Sequence, residues 1–206
     1  NLESGATPRI GLIRPFFMEE ADAETRQHVT AALEKLAAAG AIIEEIDLPE
    51  SFQTAVDDQQ IIMAAEAAAF HKPMYEKQSA DYRPLLRAML GRGLGIDAVT
   101  YTGALERRLR FITDMQVLSE KADVLLTPST PTPALADVTN TGNTRFQGPW
   151  TSCGLPTITL PSGLAESGLP FGLQIVAAPF REERLLSAAR WCERVLDVQL
   201  TPPIAA

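Results

Sequence analysis

A chain of 206 residues with 46% apolar and 21% charged residues has the balance of a folded globular protein, and neither a disordered nor a fibrous chain fits it. Its 18 Lys and Arg against 26 Asp and Glu leave a formal charge of −8, which repels phosphate backbones and argues against nucleic acid as a direct partner. Two cysteines and two histidines supply neither a disulfide framework nor a metal-ligand spacing, and no apolar run approaches the roughly 18 residues of a spanning helix, so a reduced, cytoplasmic protein without metal, cofactor or membrane contact is expected.

After a short polar opening, residues 9–13 (RIGLI) read as a buried strand that Pro15 closes. Asp22 is placed to cap a helix that puts Val29, Ala32, Leu33 and Leu36 on one face and ends at Gly40. A second strand at residues 41–48 (AIIEEIDL) completes a βαβ unit, so the expected class is α/β, a mixed sheet flanked by helices. Ser51 can cap a further helix running through IIMAAEAAAF, with Pro73 just beyond its end. Residues 73–96 read as the least regular region, a cover or a long connection. From Asp97 a long helix is expected, with Tyr101, Leu105, Leu109, Ile112, Met115 and Leu118 at helical spacing.

Residues 124–127 then read as a buried strand, and the PSTPTPA that follows must leave the sheet because proline cannot donate to a ladder. Two more strands are expected at residues 157–160 and 171–176, joined through the turn-rich SGLAESGLP. The last helix, over residues 182–196, has Glu182 and Glu183 in its first turn and Arg190 and Arg194 toward its end, as the macrodipole favours.

Most candidate chemistry has a plainer explanation. GRGLG at residues 91–95 follows a helical PLLRAML instead of a strand, so a flexible turn is favoured over a phosphate loop. Cys153 has no base near it in sequence and reads as a small buried residue. His28 and His71 read as structural or solvated, and Glu66 as capped or solvated. Arg107, Arg108 and Arg110 beside Glu106 read as a salt-bridged surface, and Asp114 and Glu120 do not form a facing acid and base couple. No two serines adjoin, and none lies in a Gly-Ser run that could present a nucleophile against backbone donors, so no catalytic residue is assigned.

Residues 143–163 are different in kind. Pro149, Pro156 and Pro161 fix the backbone at close intervals, and Gly148, Gly154 and Gly163 permit turns, so this stretch reads either as a rigid pocket wall or as a strand lead-in that packs its Trp. As a wall it would present Phe146, Gln147, Trp150 and Thr151 to a substrate.

As a set, RIGLIRPFF, DVLLTPSTPTPA, GLPTITLPSG and GLPFGLQIV resemble the second half of the amidase signature family, and the likeness covers nearly the whole chain. The resemblance implies an α/β fold around one large mixed sheet, with residues 1–206 as the C-terminal part of the domain. It also implies an amide-cleaving reaction run by a Ser, cis-Ser, Lys triad that this stretch does not contain, and a pocket wall at residues 144–151. The family's glutamine-dependent tRNA enzymes place an Asp a few residues ahead of their Gly-Leu-Pro; Thr144 stands here, which favours a free-standing hydrolase. The function expected is therefore part of an amidase acting on a small-molecule amide, its partner the missing N-terminal catalytic half or a second copy of the chain. The alternative is a non-catalytic amidase-like scaffold or interaction module.

Overall fold

The computed structural model describes residues 7–137, 139–140 and 142–199. In chain order the elements are β1 (Arg9–Leu12), α1 (Phe17–Glu20), α2 (Ala23–Ala38), β2 (Ile42–Glu45), α3 (Ala55–Gln78), α4 (Pro84–Leu94), α5 (Ala98–Ser119), β3 (Val124–Pro128), α6 (Gly148–Cys153), β4 (Thr157–Leu164), β5 (Pro170–Val176) and α7 (Glu182–Leu196). The class is α/β, as the sequence implies. The polar opening at residues 1–6 lies outside the described residues. The chain divides into two compact units, one of residues 1–48 and 115–206 and one of residues 49–114.

The larger unit holds one five-stranded sheet in the order β2-β1-β3-β5-β4. β1 pairs parallel with β2 and β3, β5 runs antiparallel to β3 and β4, and the sheet is mixed as expected. Side chains alternate along a strand, so the register assigns two faces. One carries Ile10, Leu12, Val124, Leu126, Leu160, Leu173 and Ile175, which join Val29, Leu33 and Leu36 of α2 and Leu185, Ala188 and Cys192 of α7 in one buried core. The α2 residues are those that helical periodicity singles out. Asp22 caps α2 by accepting from the Thr25 N–H at 2.7 Å, and α7 spans the expected residues with its two glutamates in the first turn. The second face carries Gly11, Leu125, Thr127, Gln174 and Thr159, the last three in one cross-strand row.

β2 is shorter than residues 41–48 and largely exposed, because it is an edge strand bearing Glu44 and Glu45. β4 forms the other edge and extends past the expected residue 160 into a β-bulge between Pro161 and Gly163.

The smaller unit corrects several expectations. Pro73 lies inside α3, not beyond it. The last turns of that helix are held by His71, whose Nδ1 is 3.0 Å from the Tyr82 hydroxyl, and by Tyr75, whose ring packs edge-on against Tyr82. These contacts outweigh the one backbone hydrogen bond a proline removes. Ser51 caps nothing, since its hydroxyl donates to Asp114 Oδ2 at 2.6 Å and a carboxylate is the stronger acceptor. Residues 73–96 are mostly helical. Within them GRGLG is the end of α4, where a Cβ on Gly93 would collide with the Ala64 carbonyl of α3; the glycines serve close helix packing, not a flexible turn.

On α5, Leu109 is 66% exposed while Ala104 and Phe111 are buried. The true seam includes Arg107, whose guanidinium grips buried Asp58 of α3 with Nε at 3.1 and 3.0 Å and Nη2 at 2.5 Å. A pattern of apolar residues alone cannot find a face that an ion pair helps to fill. Arg107 therefore belongs to a partly buried pair with Asp58 instead of a surface network with Glu106.

Candidate functional site

The region after β3 is built by proline. Chain leaving the sheet at Pro128 cannot continue the ladder, but Ser129 keeps it docked by donating its N–H to the Gly172 carbonyl at 3.0 Å and its hydroxyl to Thr159 Oγ1 at 3.3 Å. Gly172 is required here, because a Cβ would stand 2.7 Å from Ser129 Oγ. The amide of Gln147 donates to the Ser129 carbonyl and so ties the segment before α6 to the proline-rich loop.

Residues 143–153 form a 3₁₀ turn over Thr144–Phe146 followed by α6, instead of an extended lead-in. Pro149 suits the first turn of a short helix, and Gly154 ends it with φ of 69°, its N–H donating to the Trp150 carbonyl at 2.9 Å. This geometry turns Trp150 inward. It is 2% exposed and stacks on Phe17 with centroids 5.4 Å apart, while Phe146 is fully buried and meets Phe17 edge-on at 5.1 Å. The strand lead-in and the rigid wall are thus replaced by a helix whose aromatic residues reach into an aromatic cluster.

Two cavities flank Gln147. One of about 580 Å³ lies between α6 and the exposed side of the sheet, bordered by Gln147, Trp150, Thr151, Thr159, Gln174 and Glu182. The other, about 810 Å³, lies over the carboxyl end of β3 among the proline-rich loop, Thr144, Gln147, Thr159 and Phe171. Three of the four positions singled out from the sequence, Gln147, Trp150 and Thr151, border the first cavity; Phe146 borders neither and packs behind them. Reading the sequence missed Gln174, which is 4% exposed and whose Oε1 has no hydrogen-bond partner. A lone polar residue in the apolar run FGLQIV was the available signal.

The remaining chemistry-bearing groups have packing roles. His28 stacks on Phe171 at 4.4 Å and its Nε2 lies 2.9 Å from Ser162 Oγ; burial lowers its pKa below the usual 6.5, opposed by the bond to Ser162. Ser162 is itself 5% exposed, so this pair offers no approach to a substrate. Cys153 is buried with its Sγ 3.5 Å from the Trp150 carbonyl, and burial pushes the Cys192 thiol up to about 12. Glu66 is exposed and accepts from the Tyr101 hydroxyl at 3.1 Å. Among the described residues no group of three or more His, Cys, Asp or Glu is placed to hold a metal ion, and no helix is long and apolar enough to cross a membrane.

A mixed α/β sheet with a cavity over the carboxyl end of a strand is the architecture of a small-ligand site. A family model described as Amidase matches residues 1–186. The chain belongs to the amidase family. The glutamyl-tRNA(Gln) amidotransferase GatA-type protein of Geotalea daltonii is 30% identical over 220 residues, which cover 92% of this chain and 45% of that protein. Its counterpart in Geobacter sp. strain M21 is 31% identical, over 90% of this chain and 44% of its own. Among solved structures, an amidase crystal structure is similar with a TM-score of 0.83 at 25% identity, covering 93% of this chain and 46% of that one. The chain spans about half the length of the curated relatives it matches.

Proposed function

We propose that the 206 residues are the C-terminal, pocket-bearing part of an amidase that cleaves a carboxylic amide C–N bond, and that the nucleophile and its base come from an N-terminal portion. The observation that carries this reading is the match to the Amidase family over residues 1–186 together with coverage of only 45% of a typical relative. The chemistry agrees, because no serine among the described residues combines a base, an open approach and neighbouring backbone donors, the three requirements of an acyl-transfer nucleophile.

In this reading Gln147, Trp150 and Thr151 border the substrate, with Phe146 as backing, and the substrate is a small neutral amide. Residues 1–206 act as one part of the larger domain. The partner is the N-terminal half or, in its absence, a second copy of the chain, and the unpaired edge of β4 is the place where an added strand would bond. Thr144 on the rim of the larger cavity, in place of the amidotransferase Asp, supports a hydrolase over a tRNA-linked reaction. A charge of −8 is consistent with that choice, and two buried free cysteines support a cytoplasmic site of action.

The test is complementation. The purified chain should be silent on a panel of primary amides and anilides and should yield hydrolysis when the N-terminal half of an amidase is supplied. Turnover by the chain alone that survives repurification and disappears on replacing one of its residues would overturn the proposal.

A further inference from the structure

Four buried side-chain polar atoms among the described residues have no hydrogen-bond partner, and three of them, Thr127 Oγ1, Trp150 Nε1 and Gln174 Oε1, belong to one neighbourhood. Thr127 and Gln174 are register partners on adjacent strands, on the face opposite the α2 and α7 core, and Gln174 and Trp150 border the same cavity of about 580 Å³. Leaving a buried donor or acceptor unmade is costly, and such atoms are few in native proteins, so three together call for an occupant that satisfies them. Their kinds specify it. Trp150 Nε1 can only donate and therefore needs an acceptor, whereas Gln174 Oε1 can only accept and needs a donor. A carboxamide supplies both from adjacent atoms, its C=O for the indole and its N–H for the glutamine, and Thr127 can serve either.

Charge narrows the choice further. A rotated Gln174 amide would present its Nε2 and could suit a carboxylate, but no basic side chain borders this cavity and Glu182 does. An anion there would be desolvated without a counter-charge. An ammonium would leave the indole N–H unmatched, and an alkane would leave every orphan unmade.

We infer that Trp150 and Gln174 form a seat for a neutral carboxamide, with the indole N–H donating to its carbonyl oxygen and Gln174 Oε1 accepting from its nitrogen. This deepens the amidase reading by naming the atoms that recognise the amide, and it concerns binding by the chain itself. No covalent step is involved.

Three isosteric probes, butyramide, butyrate and butylamine, test it on the intact chain by the indole N–H resonances. Trp191 serves as an internal reference, since it packs in the core on the opposite face. The expected result is a saturable shift of the Trp150 indole signal with butyramide, none at Trp191, and binding of the other two probes weaker by roughly tenfold or more. Gln174→Leu should weaken butyramide roughly tenfold while the thermal midpoint holds or rises, because an apolar isostere removes an unmet acceptor. A structural Gln174 would do the reverse, lowering the midpoint and leaving affinity alone.

Three outcomes would overturn the inference: an unmoved Trp150 signal up to the solubility limit of butyramide, equal binding of the three probes, or loss of stability in Gln174→Leu with unchanged affinity. Butyramide binding without turnover keeps the inference even where complementation fails, and successful complementation with a silent Trp150 sinks the inference alone.

Discussion

On one side of the sheet Leu126, Leu173 and Leu160 lie against two amphipathic helices in a core whose members are almost all aliphatic. On the other side the same three strands present Thr127, Gln174 and Thr159, two of them with a buried oxygen that bonds to nothing among the described residues. The strands are shared, so backbone geometry is not the source of the difference. The first side is finished by this chain's own helices; the second carries polar groups whose partners lie elsewhere. A side chain's worth therefore depends on which side it occupies: an apolar residue is worth its contacts, and a polar one is a cost until something meets it.

The comparison can be broken most forcefully at Trp150. It stands on the polar side yet is almost fully buried and stacked on Phe17, so Trp150→Ala should lower stability by about 3–5 kcal/mol. Chemical denaturation measures this. A loss below about 1 kcal/mol would mean that the aromatic cluster contributes little and that the polar side is open throughout.

Neighbours on β5 sharpen the contrast. Leu173, fully buried in the core, should cost about 2–5 kcal/mol when cut to Ala. The adjacent Gln174→Leu should leave stability unchanged or raised, within about 1 kcal/mol. Equal losses at both positions, read from the thermal midpoints of the two variants, would erase the distinction between the sides.

The smallest effect is expected from pH at the rim of the apolar side. His28 is held below 6.5 chiefly by burial, against Phe171, with Lys35 adding to the shift and Glu24 opposing it. Between its folded value and 6.5 the unfolded chain binds a proton that the folded chain refuses, so stability falls as pH drops through that window and is indifferent above it. Denaturation midpoints across this range should slope for the native chain and flatten for His28→Gln. Identical slopes would show that another group titrates.

Much of this arrangement is legible in the sequence, and the failures have specific causes. α2, α7, β3 and the β4–β5 return follow from periodicity, an Asp cap and turn residues, because each is decided by nearby chain. The seam of α5 escapes an apolar pattern because Arg107 fills it by pairing with Asp58, 49 residues away. Residues 73–96 look irregular because proline and glycine stand inside helices that tertiary contacts hold together. At the site, residues 147–151 are visible from their proline and glycine frame, yet their helical form is not, and Gln174 is hidden within a strand motif. An orphaned atom has no signature in sequence, since it is defined by neighbours that fail to arrive.

The contact between Gly93 and the Ala64 carbonyl bears on how freely this chain can vary. Two helices that touch backbone to backbone have no side chain between them to trim or enlarge, so the usual way a core absorbs change, a larger residue here offset by a smaller one there, is closed at this point. Every amino acid but glycine adds a carbon where a carbonyl already stands. The pair α3 and α4 is thus fixed at a spacing that substitution can abolish but cannot adjust, and variation in this unit must be carried by its outward positions, such as Phe70, Leu85 and Val99, which are 73%, 75% and 82% exposed.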